Sequence, residues 1–304
     1  TNNKKACYKN DESNVVNCSK SFSSGDLIMK VMVKTENQSL EAIISSSFFQ
    51  ELGNLLNNES KPTLREIKQQ ISTPKIDQQL DMLIKEAIVK RQDKRYSLLL
   101  PTMQASTSMT YEMVKEKVIS YLAALSLEER SIAFIHLYPK NKDYSPFLLD
   151  ETVPFSYYAT ISNDLVTITS LATQEDAWTL PHYFQSHLKS AANSLFEPME
   201  SLIGDVDPHY YLDQVWTILD KIQQQRRRIR ENIFLTSLQE FQLIDYQDRW
   251  VVTVPIQTSL TTFGLNHELE EEFSCLSFAE QCMLLGECLQ YFGLSQLTVI
   301  TMLK

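Results

Sequence analysis

The feature that most constrains this chain is the stretch TLREIKQQISTPKIDQQLDMLIKEAIVKRQDKRYSLLLP at residues 63–101, within which the hydrophobic period changes from helical to strand-like. Thr63 followed by Glu66 is a capping-box pair, in which hydroxyl and carboxylate satisfy free N–H groups reciprocally, so a short helix is predicted over Leu64, Ile67 and Ile71. Ser72-Thr73-Pro74 reads as a turn, with Thr73 as cap and Pro74 at the first helical position. The next helix, about 74–88, sets Ile76, Leu80, Leu83, Ile84 and Ala87 in one apolar arc and Lys75, Gln78, Asp81, Met82 and Lys85 opposite. From Val89 the period becomes two. A strand, a charged turn around Gln92-Asp93-Lys94 and a returning strand closed by Pro101 are predicted.

Upstream, residues 39–60 carry Phe48, Phe49, Leu52, Leu55 and Leu56 at helical spacing and read as one helix. Residues 1–36 are polar and read as a tail with little core. The 304 residues, 43% hydrophobic, have room for two or three domains. The divisions predicted are the tail, a domain at 37–102, an α+β domain at 108–204 and a helical domain with a hairpin at 205–304. In the middle block a helix from about 110 precedes IAFIHLYP, SYYATI and LVTITSLA, all read as strands, the last two flanking the turn Ser162-Asn163-Asp164 as an antiparallel pair. Residues 181–202 return to a helical pattern. A long helical region then starts at Asp207-Pro208, marked by Val215, Trp216, Leu219, Ile222, Ile229, Ile233 and Phe234. Residues 277–293 form a last helix, opened by a second capping box, Ser277 with Glu280. The fold class is α+β.

One similarity is internal. LIKEAIVKRQDKRYSLLLP (83–101) and LQEFQLIDYQDRWVVTVP (238–255) share a skeleton in which, with one residue of slippage, Gln92-Asp93 matches Gln247-Asp248 and Tyr96 matches Trp250. Either the C-terminal region holds a second unit like the first, or any helix running into a hairpin looks this way.

The segment from about 45 to 101 resembles the winged-helix superfamily. Its run FFQELGNLL…LREIKQQI…IDQQLDMLIKEAIV…DKRYSLLLP is also similar to an uncharacterised family of Gram-positive bacterial proteins with no assigned function. The first resemblance implies a recognition helix laid in a DNA major groove and a wing on the backbone. It would set Lys75, Gln78, Gln79 and Lys85 near the groove and Lys90, Arg91, Lys94 and Arg95 on the wing.

Other classes find little support. The six glycines, at 25, 53, 204, 264, 286 and 293, never cluster, so no phosphate-cradling loop is built. Cys275, Cys282 and Cys288 are seven and six apart with no CxxC; with Cys7 and Cys18 they are expected as reduced thiols, the later ones buried on a helix, and no metal or other cofactor is expected. His182 and His187 do not share a helix face, and His136 is expected to be a hydrogen-bonded core residue; no catalytic motif is found. No apolar run approaches the ~20 residues of a membrane helix, and no apolar segment follows Lys4-Lys5, so a cytoplasmic location without membrane contact is expected.

Charge gives the functional expectation. The chain carries −10, which opposes diffuse nucleic-acid binding. Residues 60–101 hold nine basic and five acidic side chains, a net of +4, which leaves −14 elsewhere. A basic module on an acidic body fits a footprint confined to one face. Double-stranded DNA binding, as by a transcriptional regulator, is the leading expectation; a protein–protein adaptor using the same units as scaffold is the alternative. Arg226, Arg227, Arg228 and Arg230 form a second basic cluster, suited to phosphate or to an acidic partner helix. The sequence fixes no oligomeric state.

Overall fold

A computed structural model describes residues 21–24, 27–33, 37–57, 61–103, 108–140, 143–188, 194–258 and 267–303. It is a mixed α+β chain, as expected, and divides into two compact units, one holding residues up to 106 with 140–153, the other 107–139 with 154–304.

The first unit begins with strands β1 (Ser21–Ser24) and β2 (Leu27–Met32). Helices α1 (Gln38–Ile44), α2 (Ser47–Asn57), α3 (Leu64–Gln70) and α4 (Ile76–Lys85) follow. Then come the hairpin β3 (Val89–Gln92) and β4 (Arg95–Leu98), strand β5 (Thr102–Met103), and, later in the chain, β6 (Phe147–Asp150). The sheet runs β1-β2-β6-β5, with β5 parallel to β6 and the other pairs antiparallel. Its core joins Val31 and Leu148 from the sheet to Phe48, Phe49, Leu52, Ile67, Leu80, Leu83 and Tyr96.

Three local expectations are corrected here. Residues 27–33 are not tail: β2 is an interior strand, and Val31, Met32 and Val33 are buried; residues 1–20 lie outside the described residues. The helix expected over 39–60 is two helices. Ser46 breaks it, its Oγ donating to the Ile43 carbonyl at 2.5 Å and accepting from the Phe49 N–H at 3.4 Å, the local competition by which serine ends one helix and caps the next. Pro74 does not open α4. Lys75 follows it with φ 61°, in the left-handed region, so the helix begins at Ile76 without a side-chain cap.

The second unit contains α5 (Met109–Ala123) and α6 (Leu127–Leu137), then the hairpin β7 (Tyr157–Ser162) and β8 (Val166–Ala172). Helices α7 (Leu180–Leu188), α8 (Glu197–Leu202), α9 (Pro208–Gln223) and α10 (Ile233–Glu240) lead to a second small hairpin, β9 (Ile244–Gln247) and β10 (Arg249–Val252). Strand β11 (Ile256–Thr258), helices α11 (His267–Ser274) and α12 (Phe278–Tyr291) and strand β12 (Gln296–Met302) complete it. The β7–β8 pair is antiparallel as expected, with Asn163 Oδ1 accepting from the N–H groups of Leu165 and Val166 at 2.9 Å. IAFIHLYP, however, is not a strand. It lies mostly in α6, which Ser126 and Glu129 open with a capping box; burial at the consecutive residues Ala133, Phe134 and Ile135 masks the helical period, and His136 alone within the run is exposed.

Apart from one 3-10 turn at Ser194–Phe196, between α7 and α8, the described helices and strands run twice through one order: β1-β2-α1-α2-α3-α4-β3-β4-β5-α5-α6-β6, then β7-β8-α7-α8-α9-α10-β9-β10-β11-α11-α12-β12. The second sheet has the order β7-β8-β12-β11, the counterpart of β1-β2-β6-β5, with the same parallel and antiparallel pairs. Details repeat as well. The Ile88 N–H donates to the Leu83 carbonyl and the Leu243 N–H to the Leu238 carbonyl, each at 2.9 Å, after a residue of positive φ, Ala87 or Gln242. The Leu99 N–H reaches the Ile88 carbonyl as that of Thr253 reaches Leu243, and the carbonyls of Pro101 and Pro255 accept from Leu148 and Ile300 in the paired strands. The units do not follow the repeats: α5 and α6 of the first repeat belong to the second unit, where α6 packs on β8 and β12.

Candidate nucleic-acid interface

Helices α3 and α4 and the hairpin β3–β4 present the cationic residues of the first unit. The Thr63 capping box is formed: its N–H donates to Glu66 Oε2 at 2.6 Å, and its Oγ1 accepts from the Glu66 N–H at 3.4 Å. The Thr63 backbone and hydroxyl hydrogen bonds, aided by the nearby Arg95 charge, hold the Glu66 carboxyl below its usual range. Residues 61–63 also run beside β4. Thr63 bridges Arg95, the Tyr96 N–H donates to the Pro62 carbonyl at 2.9 Å, and Arg95 Nη1 donates to the Lys61 carbonyl at 2.7 Å. The hairpin is thereby tied to the start of α3.

The hairpin tip is a two-residue loop. Gln92 pairs with Arg95, and Asp93 and Lys94 between them have φ 52° and 63°, the left-handed pair that matches the twist of antiparallel strands. Alternation splits the cations between two faces: Lys90 and Arg95 share one, Arg91 lies on the other over the Tyr96 ring at 5.6 Å, and Lys94 stands at the tip. All four are exposed, and among the described residues none forms an ion pair.

The outer face of α4 is mixed. Lys75, Gln78 and Lys85 are exposed, but so are Asp77 and Asp81, with Asp77 held by Lys68 at 2.7 Å. Gln79 does not share that face: it is half-buried, with Oε1 shielded from solvent. Met82, expected among the polar residues, packs against the core, and Ala87, expected in the apolar arc, is exposed. The left-handed conformation of Ala87 ends the helical arc before it.

Arg226, Arg227, Arg228 and Arg230 are not on a helix. Gln225, with φ 55°, terminates α9, and the arginines occupy the connection from there to Asn232, which caps α10 by accepting from the Leu235 N–H at 2.9 Å. All four are exposed, while Ile229 among them packs against the core. The sequence signal for this placement was weak, since Gln is not a usual left-handed residue.

Other candidate residues are accounted for. His136 is exposed on α6 rather than a core residue, with Nε2 3.4 Å from Gln257 Nε2; the helical phase of α6 turns it outward. His182 is buried, Nδ1 2.7 Å from Thr179 Oγ1. Cys282 and Cys288 are buried on α12, Cys275 is exposed, and Cys7 and Cys18 lie outside the described residues. Burial pushes the Cys288 thiol up to about 12. Among the described residues no group of three or more His, Cys, Asp or Glu is placed to hold a metal, and no helix is long and apolar enough to cross a membrane.

A family model described as a domain of unknown function, DUF1803, matches residues 30–129. That span covers α1 to the start of α6, within the first repeat. No curated protein and no solved structure matches the chain.

Proposed function

We propose that α2–β4 is a winged helix and that the protein binds double-stranded DNA, with the β3–β4 wing as its principal contact. The observation that carries this reading is the wing itself: Lys90, Arg91 and Lys94 are exposed on one hairpin without an ion pair among the described residues, and exposed Arg95 beside them has Nη1 on the Lys61 carbonyl and its charge near Glu66. Such a hairpin neutralises phosphates without desolvating buried charge. The helix order and the backbone bridge from residues 61–63 to β4 fit the same reading.

The mixed face of α4 refines it. Lys75, Gln78 and Lys85 offer donors to base edges or phosphates, whereas Asp77 and Asp81 would face phosphate unfavourably. The wing therefore supplies most of the affinity, and base reading by α4 is confined to few side chains. A regulator of transcription in the cytoplasm is the role that suits such binding.

The test compares the full chain with K90A/R91A/K94A/R95A on duplex DNA at several salt concentrations. Weaker binding and a shallower salt dependence in the variant support the wing. Unchanged retention rules it out, and capture of protein without nucleic acid would favour the adaptor role.

A further inference from the structure

We propose that the second repeat is a second duplex-DNA-binding surface, in which Arg226, Arg227, Arg228 and Arg230, in the α9–α10 turn, hold the phosphate backbone. This rests on the DNA-binding reading of the first unit and extends it to a site of different construction.

The duplication supplies the position. By element order α9, α10 and β9–β10 are the counterparts of α3, α4 and β3–β4, so the arginines stand where Ser72-Thr73-Pro74-Lys75 stands in the first repeat. Charge has moved within that frame. The second hairpin bears Asp245 and Asp248 against Arg249 alone, and the exposed face of α10 holds Ile233, Thr236, Gln239 and Glu240 with no cation. The first repeat is cationic at its wing; the second is cationic at its turn.

The turn is suited to phosphate. Four guanidiniums fall within five residues, all exposed and, among the described residues, without an ion pair. The Arg226 N–H donates to the Lys221 carbonyl at 3.1 Å, Ile229 anchors the segment to the core and Asn232 fixes its exit into α10, so the backbone carrying the arginines is held along its length; Arg226 Nε also donates to Gln224 Oε1 at 3.1 Å. Arginine offers planar, bidentate donation to phosphate oxygens and sheds its hydration more readily than lysine. With no cation on α10, the contact is to backbone rather than to bases, so it adds affinity without sequence preference.

The experiment uses the full chain, since α6 packs on the second sheet, and a mixed-sequence duplex long enough for both repeats. Binding is titrated across salt for wild type, R226A/R227A/R228A/R230A, the corresponding four lysine substitutions, and the wing variant K90A/R91A/K94A, which keeps the Arg95 backbone bond. The expected result is that the arginine-to-alanine variant keeps its thermal midpoint, loses affinity at least tenfold, and lowers the slope of log K against log salt by roughly three, with lysine restoring much of the slope. A wild-type slope in that variant overturns the proposal and leaves the wing reading standing if the wing variant loses slope. Loss in the arginine variant alone upholds this site and overturns the wing. Failure of wild type to bind duplex overturns both, and arginine-dependent binding of poly-glutamate in that case would make the surface a site for acidic protein.

Discussion

Arg91 and Tyr96 sit opposite each other across the β3–β4 hairpin, the guanidinium 5.6 Å from the ring centroid, with the ring buried and the cation exposed. The pair joins the core of the first unit to the surface proposed to meet DNA. Tyr96→Ala should therefore cost about 3 kcal/mol in urea unfolding, as a buried aromatic truncation does. Arg91→Ala should cost at most about 1 kcal/mol, the worth of an exposed cation–π contact, while weakening DNA binding.

Stability and binding should move in opposite directions at the hairpin tip. Asp93 and Lys94 both hold positive φ, which Asn-Gly adopts with less strain. The variant D93N/K94G is expected to raise the thermal midpoint, by the equivalent of about 1 kcal/mol. Because D93N/K94G removes one anion with one cation, the binding comparison uses Lys94→Gly alone, which removes only the tip cation and should lower affinity for duplex DNA while its midpoint rises.

Gly286 on α12 has no room for a side chain, because a Cβ there would lie 2.6 Å from the Phe155 backbone nitrogen. Gly286→Ala should destabilise the second unit by about 1–3 kcal/mol despite its better helix propensity, since the chain at 155 must move. Calorimetry against Gly293→Ala provides the comparison: Gly293 has open space around it but φ 68°, so its cost is backbone strain alone.

The capping boxes give a pH dependence of defined sign. The Glu66 and Glu129 carboxyls are held below the usual range by their bonds from Thr63 and Ser126. A depressed folded pKa means that the stabilisation is present above the unfolded value of 4.5 and is lost as pH falls through the folded value. The double variant E66Q/E129Q should thus be less stable than wild type near neutrality, and the gap should close as unfolding is followed into acid below that value.

The helix-to-hairpin segments were legible because several local signals agreed. The capping pairs Thr63 with Glu66 and Ser277 with Glu280 both start helices, and the skeleton shared by 83–101 and 238–255 matches equivalent helix–hairpin segments, with the slipped residue at the tip, where Asp93-Lys94 faces the single Asp248. The wider duplication was not legible, since the bonds that reveal it, from Leu148 to Pro101 and from Ile300 to Pro255, join residues far apart in sequence. Residues 132–137 misled because three consecutive buried residues, Ala133 to Ile135, blur the helical period that exposed His136 marks. The turn arginines misled because a left-handed Gln225, which local sequence gives no reason to expect, ends α9 before them. For the candidate site, identity of the cations was readable but their faces were not: Gln79 turns inward, and Lys90 and Arg91 lie on opposite faces of the β3–β4 hairpin.

The salt dependence of duplex DNA binding by the full chain, measured beside K90A/R91A/K94A/R95A, tests the central claim most directly. The account predicts that wild-type affinity falls steeply with salt and that the variant is weaker, with a slope in log K against log salt lower by about three to four. Equal affinity and equal slope for the two proteins would contradict it.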